Sequence, residues 1–176
     1  MGIDEVITKI SGISGRDITT DHQGEDLPFP YRCTLGPPEP WDRIHLERQF
    51  RHSLPPELVD LWHGASRLHL YEDYQYRKWG LILWSPAQIL ENHRKAAHSR
   101  ESELRPADLL IGEFLGDDDL LGIRCERSLT DFGTVFVSPA RLPRSEWYFL
   151  SLSLSEFLNL YLETTGDKWW EVNIGL

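Results

Sequence analysis

Cysteine is scarce in this chain of 176 residues, which holds only Cys33 and Cys125. Two thiols cannot supply the disulfide framework that stabilises many small secreted domains, and so few cysteines fit a reducing compartment. We therefore expect two free thiols and a cytoplasmic protein whose stability comes from its hydrophobic core.

Long hydrophobic runs are also missing. No stretch approaches the roughly 18 consecutive apolar residues that a membrane-spanning helix needs. The chain opens with MGIDEV, which is acidic where a secretory signal peptide carries basic residues before an apolar run. We therefore expect neither a membrane partner nor export.

The sequence lacks the motifs that usually mark catalytic and metal sites. Its seven histidines form no His-Glu-x-x-His, and it has no Gly-x-Ser-x-Gly or Gly-Lys-Ser/Thr frame. His93 and His98 are five residues apart, which places them on different faces of a predicted helix. Glu72 and Asp73 could be considered as a glycosidase-type pair of carboxylates, but adjacent residues of a strand point to opposite faces. We predict no catalytic, cofactor-binding or metal-binding residues, and hence a protein that is not an enzyme and needs no cofactor.

Basic residues are too few to balance the acidic ones, and the formal net charge is −10. Residues 1–60 hold eleven acidic and six basic side chains, and residues 111–176 hold eleven and five, whereas residues 61–110 are nearly balanced. Such a field repels nucleic acid and anionic membranes and attracts cationic proteins. We expect a cationic protein partner. The alternative is that the negative charge only keeps the protein soluble.

Large apolar side chains are plentiful. Hydrophobic residues make up 40% of the chain, and seven Trp, seven Phe and six Tyr are present. One core suffices at this length. We predict a single globular domain overall, made of an N-terminal helix plus irregular extension over residues 1–40 and an α+β domain over residues 41–176. We expect a monomer or a weak dimer.

Helical spacing begins at Ile3, Val6, Ile7 and Ile10, and Gly12 is the predicted end of this first helix. The glycines and prolines between Ser11 and Pro40 then predict an irregular backbone.

Further helices are predicted by periodicity and by their start signals. Trp41–Phe50 shows helical spacing, and a helix that starts at Pro55 is predicted to end at Gly64. Ser85 and Ser153 each stand where an N-cap would lie, with Gln or Glu three residues later. The helices after them are predicted to reach about His98 and Thr165. Trp169 and Trp170 are predicted to pack back on the core.

Six short apolar runs, bounded mostly by Gly, Pro, Asp or Ser, predict strands. Hairpin-length connections between several of them predict an antiparallel meander, so we expect one antiparallel sheet, mixed at most, of about six short strands flanked by helices. The predicted strands are Leu68–Tyr71, Leu81–Trp84, Leu109–Leu115, Leu120–Cys125, Thr134–Val137 and Trp147–Leu150.

The segment between the first two of these strands alternates aromatic with charged residues. Tyr, Trp and Arg dominate interface hot spots, so this segment is a candidate contact surface, with an ordinary amphipathic strand as the alternative. The acidic turn before the fourth strand is interpreted as a solvated hairpin and as a negative knob for a cationic partner. The candidate partner-binding residues are Tyr71, Glu72, Asp73, Tyr74, Tyr76, Arg77, Trp79, Asp117, Asp118 and Asp119.

The order of three local motifs resembles the SUKH superfamily, which includes yeast cell-wall-synthesis regulators and many bacterial immunity proteins. The motifs are a Leu54-Pro55 step before a helix that ends in Gly64, a hairpin that joins Ile111–Asp117 to Leu120–Ile123, and a serine-rich closing helix over Leu152–Leu158. The chain has His63-Gly64-Ala65 where family members often have Asn-Gly-Gly.

The resemblance implies an α+β sheet flanked by helices. It also implies a bacterial protein that neutralises a cognate polymorphic toxin, of a nuclease or deaminase kind, by direct contact. The alternative is a non-catalytic regulatory or scaffold protein of the same fold, for example in cell-wall or cell-surface regulation.

Overall fold

A computed structural model of the chain describes residues 2–19, 21–22, 25–27 and 30–175. The positions in between, which fall within the predicted irregular extension, and the two terminal residues lie outside the described residues. The α-helices are α1 (Ile3–Ile13), α2 (Arg43–Phe50), α3 (Pro56–Gly64), α4 (Ile89–His98) and α5 (Leu154–Glu163). Short 3-10 turns occur at Arg144–Glu146 and Trp169–Gly175.

The strands are β1 (Asp17–Ile18), β2 (Asp21–His22), β3 (Glu25–Asp26), β4 (Tyr31–Leu35), β5 (Leu68–Glu72), β6 (Leu81–Leu83), β7 (Asp108–Phe114), β8 (Leu120–Arg124), β9 (Thr134–Ser138) and β10 (Tyr148–Ser153). Eight of them form one sheet in the order β1-β4-β5-β6-β7-β8-β9-β10, while β2 pairs with β3. All the pairs that the structure describes are antiparallel. The predicted α+β class is confirmed, and each of the six predicted runs coincides with a strand.

The sheet has more strands than the six predicted, because the segment expected to be irregular contributes to it. β4 pairs with β5 on one side and with β1 on the other. Its side chains alternate: Tyr31 and Cys33 are buried, while Thr34 is exposed. The prediction of an irregular backbone was wrong at β4, because flanking glycines and prolines masked a five-residue alternation.

The first helix packs over the sheet. Ile3, Val6 and Ile10 are buried, and α1 contacts α3, α5 and β4. Gly12 was predicted to end this helix, but α1 continues to Ile13. A Cβ at position 12 would meet no atom within 4 Å, so this glycine serves no close approach. None of the helices in the described part of the chain is long and apolar enough to cross a membrane.

The two predicted serine caps differ in outcome. Ser153 caps α5: its hydroxyl accepts the N–H of Glu156, and the Glu156 carboxylate accepts the N–H of Ser153 at 2.8 Å. Ser85 was predicted to start a helix, and this was wrong, because α4 begins four residues later. The carbonyl of Ser85 instead accepts the N–H groups of Gln88 and Ile89 in a turn that leads directly into α4.

The C-terminal tryptophans pack on the core as predicted. Trp170 is buried, with its ring 5.3 Å from that of Phe114 and 5.8 Å from that of Phe157. Trp169 is partly buried and packs against the same cluster. The short aromatic tail therefore packs against both α5 and strand β7 of the sheet.

A pair of glycine substitutions tests the core packing. At Gly122 in β8 an added Cβ would overlap the ring of Phe136, which is fully buried. We expect Gly122→Ala to lower the free energy of unfolding by about 1–3 kcal/mol, as overpacking does. Gly12→Ala has open space in a helix, so we expect it to raise the free energy of unfolding by up to about 1 kcal/mol. Urea denaturation measures both, and equal effects of the two substitutions would contradict the described packing.

Candidate interaction surface

The loop between β5 and β6 is organised by one carboxylate. Asp73 Oδ1 accepts the main-chain N–H groups of Gln75 at 3.1 Å and Tyr76 at 3.0 Å, and Oδ2 accepts that of Lys78 at 3.4 Å. The N–H of Asp73 also donates to the carbonyl of Trp79 at 3.0 Å. A buried carboxylate with several main-chain donors holds a turn in one conformation. The loop is therefore preorganised.

A β-bulge decides which of the predicted contact residues face the core. Arg32 pairs with Glu72 and Thr34 with His69, so β5 has one more residue than β4 in this interval. Tyr71 adopts a left-handed φ of 51° within the bulge. An extra residue breaks strand alternation, which explains why the sequence pattern did not reveal the burial of this side chain.

Three of the predicted contact residues are buried, and their side chains bind other parts of the fold. The Tyr71 hydroxyl donates to the carbonyl of Leu162 at 3.1 Å. Glu72 binds His69 Nδ1 at 2.6 Å and Arg77 at 2.6 Å. The third is Asp73, which is only 4% exposed. All three side chains have partners inside the fold.

Most of the remaining side chains of the loop are exposed to solvent. Tyr74 is 39% exposed and Tyr76 is 58% exposed, while Arg77 and Lys78 are also exposed. Trp79 is partly buried at the end of the loop. Two aromatic rings are thus presented to solvent on a loop whose backbone is held in place.

Two residues from the N-terminal strands extend this surface. The guanidinium of Arg32 lies 4.2 Å from the ring centroid of Tyr74, and Arg32 Nε donates to Asp17 at 2.6 Å. The Tyr74 hydroxyl is 3.4 Å from the same Asp17 oxygen. Neither residue is predicted from the sequence, because their approach to Tyr74 depends on the pairing of β1, β4 and β5 and leaves no local signal.

The acidic turn lies beside this loop. Leu115 donates its N–H to the carbonyl of Gly80 at 2.8 Å. Gly116 has a φ of 104°, and a Cβ there would overlap the carbonyl of Lys78. Glycine is therefore required for both the backbone conformation and the close approach. The structure thus brings together the aromatic loop and the acidic turn, which the sequence predicted separately as contact surfaces.

A buried lysine connects the turn to the C-terminal tail. Lys168 is 2% exposed and forms an ion pair with Asp117, while its Nζ lies 3.9 Å from carboxylate oxygens of both Asp119 and Glu171. The same Nζ is 5.2 Å from the ring centroid of Trp79. Asp118 is exposed, whereas Asp119 is 7% exposed, so only part of the predicted solvated turn is solvated.

The three carboxylates around Lys168 lie close enough to share one cation. One ligand oxygen from each of Asp117, Asp119 and Glu171 falls within 4.8 Å of the others. Burial raises the pKa of Asp119, and the nearby Asp117 raises it further; burial also raises the pKa of Glu171. The Lys168 ammonium supplies one positive charge among these three carboxylates, so it offsets their charge only in part.

Charge is balanced within residues 72–79, which carry two acidic and two basic side chains, whereas the adjacent turn carries three carboxylates. Ion pairs join Arg32 to Asp17, Arg77 to Glu72 and Lys168 to Asp117. Exposed carboxylates are present on four helices, at Asp4, Glu5, Asp60, Glu91, Glu156 and Glu163. The aromatic loop is therefore nearly neutral. The negative charge expected of this surface lies in the adjacent turn.

Neither thiol is set up as a nucleophile. Cys33 Sγ accepts the N–H of Tyr71 at 3.3 Å, and burial raises its pKa to about 11. Burial raises the pKa of Cys125 still further. His93 Nδ1 accepts the N–H of Leu110 at 3.0 Å, and burial lowers its pKa. These groups support the fold.

Comparison with known proteins yields no match to a family model and none to a curated protein. Membership of the SUKH superfamily therefore stays a prediction based on the order of the sequence motifs.

The thiols provide a direct test of this burial. We expect Cys33 and Cys125 in the native protein at pH 8 to react with a disulfide reagent at least about 100-fold more slowly than free cysteine, because reactivity requires the thiolate. Both thiols should react promptly after denaturation. Absorbance of the released chromophore measures this, and fast native reaction of either thiol would contradict the burial of Cys33 in β4 or of Cys125 directly after β8.

Removal of the buried ammonium tests the charge cluster. We expect Lys168→Met to lower the free energy of unfolding by about 3 kcal/mol at pH 7, because three carboxylates lose their shared cation. The loss should shrink toward pH 4. The raised pKa values of Asp119 and Glu171 mean that these groups favour the folded state when protonated, and that contribution disappears as pH rises through their folded pKa values.

Lys95→Met is the matched control, since Lys95 pairs with Glu91 on an exposed helix face. We expect this substitution to cost no more than about 1 kcal/mol. Chemical denaturation at several pH values measures both variants. A loss in Lys168→Met that does not depend on pH would show that packing, not charge, accounts for the effect.

Proposed function

We propose that this chain is a non-catalytic protein-binding domain that neutralises a bacterial toxin by direct contact. The contact surface consists of the exposed part of the Asp73–Trp79 loop and the neighbouring Gly116–Asp118 turn, together with Arg32. The observation that carries the proposal is the preorganised loop, in which three main-chain N–H groups donate to Asp73 while Tyr74 and Tyr76 remain exposed.

Preorganisation matters because association must otherwise pay for ordering the groups that make contact. Tyrosine rings on a fixed loop bury a large area with few rotatable bonds, and each keeps a polar hydroxyl. The Arg32 guanidinium already stacks on Tyr74, so this part of the surface is ordered without a partner. These properties favour protein binding over the binding of a small ligand.

The charge distribution supports a cationic partner approached from a distance. The net charge of −10 attracts a basic protein, while the loop itself is nearly neutral. Long-range charge of this kind raises association rates more than it slows dissociation. A basic toxin would therefore be steered by the whole molecule and retained by the aromatic loop.

The toxin-neutralising role rests on the resemblance of the motif order to the SUKH superfamily. Nuclease-like toxins carry cationic surfaces for their nucleic acid substrates, which fits an acidic binder. A regulatory or scaffold protein of the same fold would use the same surface, and only the nature of the partner distinguishes the two roles.

The proposal is tested by co-expression with candidate nuclease-like and deaminase-like toxins, followed by a binding assay with the purified pair. We expect the wild-type chain to protect growth, and the double variant Tyr74→Ala/Tyr76→Ala to lose at least about 30-fold in affinity and to lose protection. Raising the salt concentration should slow association more than it speeds dissociation.

Ile44→Ala is the matched control, because Ile44 is 68% exposed on α2 and lies outside the proposed surface. It should bind and protect like the wild type. Absence of protection by the wild-type chain, or full protection by the double tyrosine variant, would contradict the proposal. A captured partner without toxic activity would support the regulatory role instead.

A further inference from the structure

The last strand of the sheet has one edge that no described strand covers. β10 pairs with β9, and no second strand pairs with it among residues 2–19, 21–22, 25–27 and 30–175. Its sequence, YFLSLS, contains neither charge nor proline. Exposed edges are usually protected by charged residues, proline or very short strands, because free main-chain groups pair with other strands. The opposite edge, β1, is two residues long and carries Asp17.

An aromatic groove of about 420 Å³ runs beside this strand. Phe149 is 45% exposed and its ring lies 5.6 Å from that of the buried Phe136, with the Arg144 guanidinium 5.0 Å from the Phe149 centroid. The groove is lined by Trp147, Tyr148, Phe149, Leu150, Leu152, Trp169 and Trp170. The edge of β10 that no described strand covers and the apolar groove therefore lie side by side.

We propose that β10 pairs antiparallel with β10 of a second copy of this chain, about a two-fold axis. The occupant of the edge must be an extended segment, because only a strand satisfies a row of main-chain donors and acceptors. It must also be uncharged and rich in apolar residues to fill the groove. β10 itself meets these requirements, and a two-fold contact places the same patch on both copies.

Electrostatics favours this location for self-association. Two copies that each carry −10 repel each other, and a contact through YFLSLS places no charged residue opposite another. Arg141, Arg144 and Glu146 precede β10, while Glu156 is the first charged residue after it. Arg144 is already paired with the buried Asp108, and Arg141 and Glu146 offset each other. Antiparallel pairing therefore sets a nearly neutral start of one strand beside Glu156 of the other, which adds no repulsion.

A register irregularity limits the strength of the contact. The pairing of β10 with β9 shifts between Phe149 and Ser153, and Ser151 has a φ of 55°. Bulges of this kind bend an edge and shorten the part that pairs regularly. The dimer is therefore weak and depends on protein concentration.

Sedimentation velocity of the purified full chain, from about 5 to about 500 µM, tests the proposal in the concentration range of weak association. We expect a shift from monomer to dimer as the concentration rises. Phe149→Lys and Phe149→Glu should each remain monomeric, because each places like charges near the two-fold axis. An equimolar mixture of the two variants should restore the dimer.

Ile44→Lys is the matched control, since it adds the same charge at an exposed apolar site on α2 and should dimerise like the wild type. Tyr74→Ala/Tyr76→Ala should also dimerise, which separates this contact from the proposed partner surface. Circular dichroism checks that each variant is folded. A wild-type chain that stays monomeric throughout, or a Phe149→Lys variant that dimerises like the wild type, would overturn the proposal.

Discussion

The buried ammonium of Lys168 joins the parts of the chain that form the candidate surface. It pairs with Asp117 of the acidic turn and with Glu171 of the C-terminal tail, and it lies over the ring of Trp79. A charge in this position is tolerated only because carboxylates surround it. The loop, the turn and the tail are therefore held together by one interaction that no single segment could supply.

Charged groups and aromatic surface therefore have separate roles in this molecule. The carboxylates nearest the loop are used internally: Glu72 by His69 and Arg77, and Asp73 by main-chain N–H groups. The acidity available to a distant partner is spread over exposed positions of helices, such as Asp60 and Glu163, and of the segments between them, such as Glu39 and Glu101. The aromatic loop can thus provide close contact while the remainder of the molecule provides the field.

Local patterns predicted the elements well wherever their signals were contained within one segment. The apolar runs of all six predicted strands and the capping box at Ser153 needed only neighbouring residues to be recognised. β4 escaped prediction because its burial pattern is short and its partner β5 lies more than thirty residues away. At Ser85 the serine and proline signals favoured a helix start, but the segment forms a turn that leads into α4 at Ile89.

The sequence by itself determined the α+β class, the antiparallel meander and the excess of negative charge, because periodicity, turn residues and composition are local or additive properties. Only the tertiary structure decided which members of the candidate surface are exposed. The bulge in β5 turned Tyr71 inward, the Asp73 turn presented Tyr74, and strand pairing brought Arg32 onto its ring. These outcomes depend on register and on contacts between distant segments, so a linear pattern does not contain them.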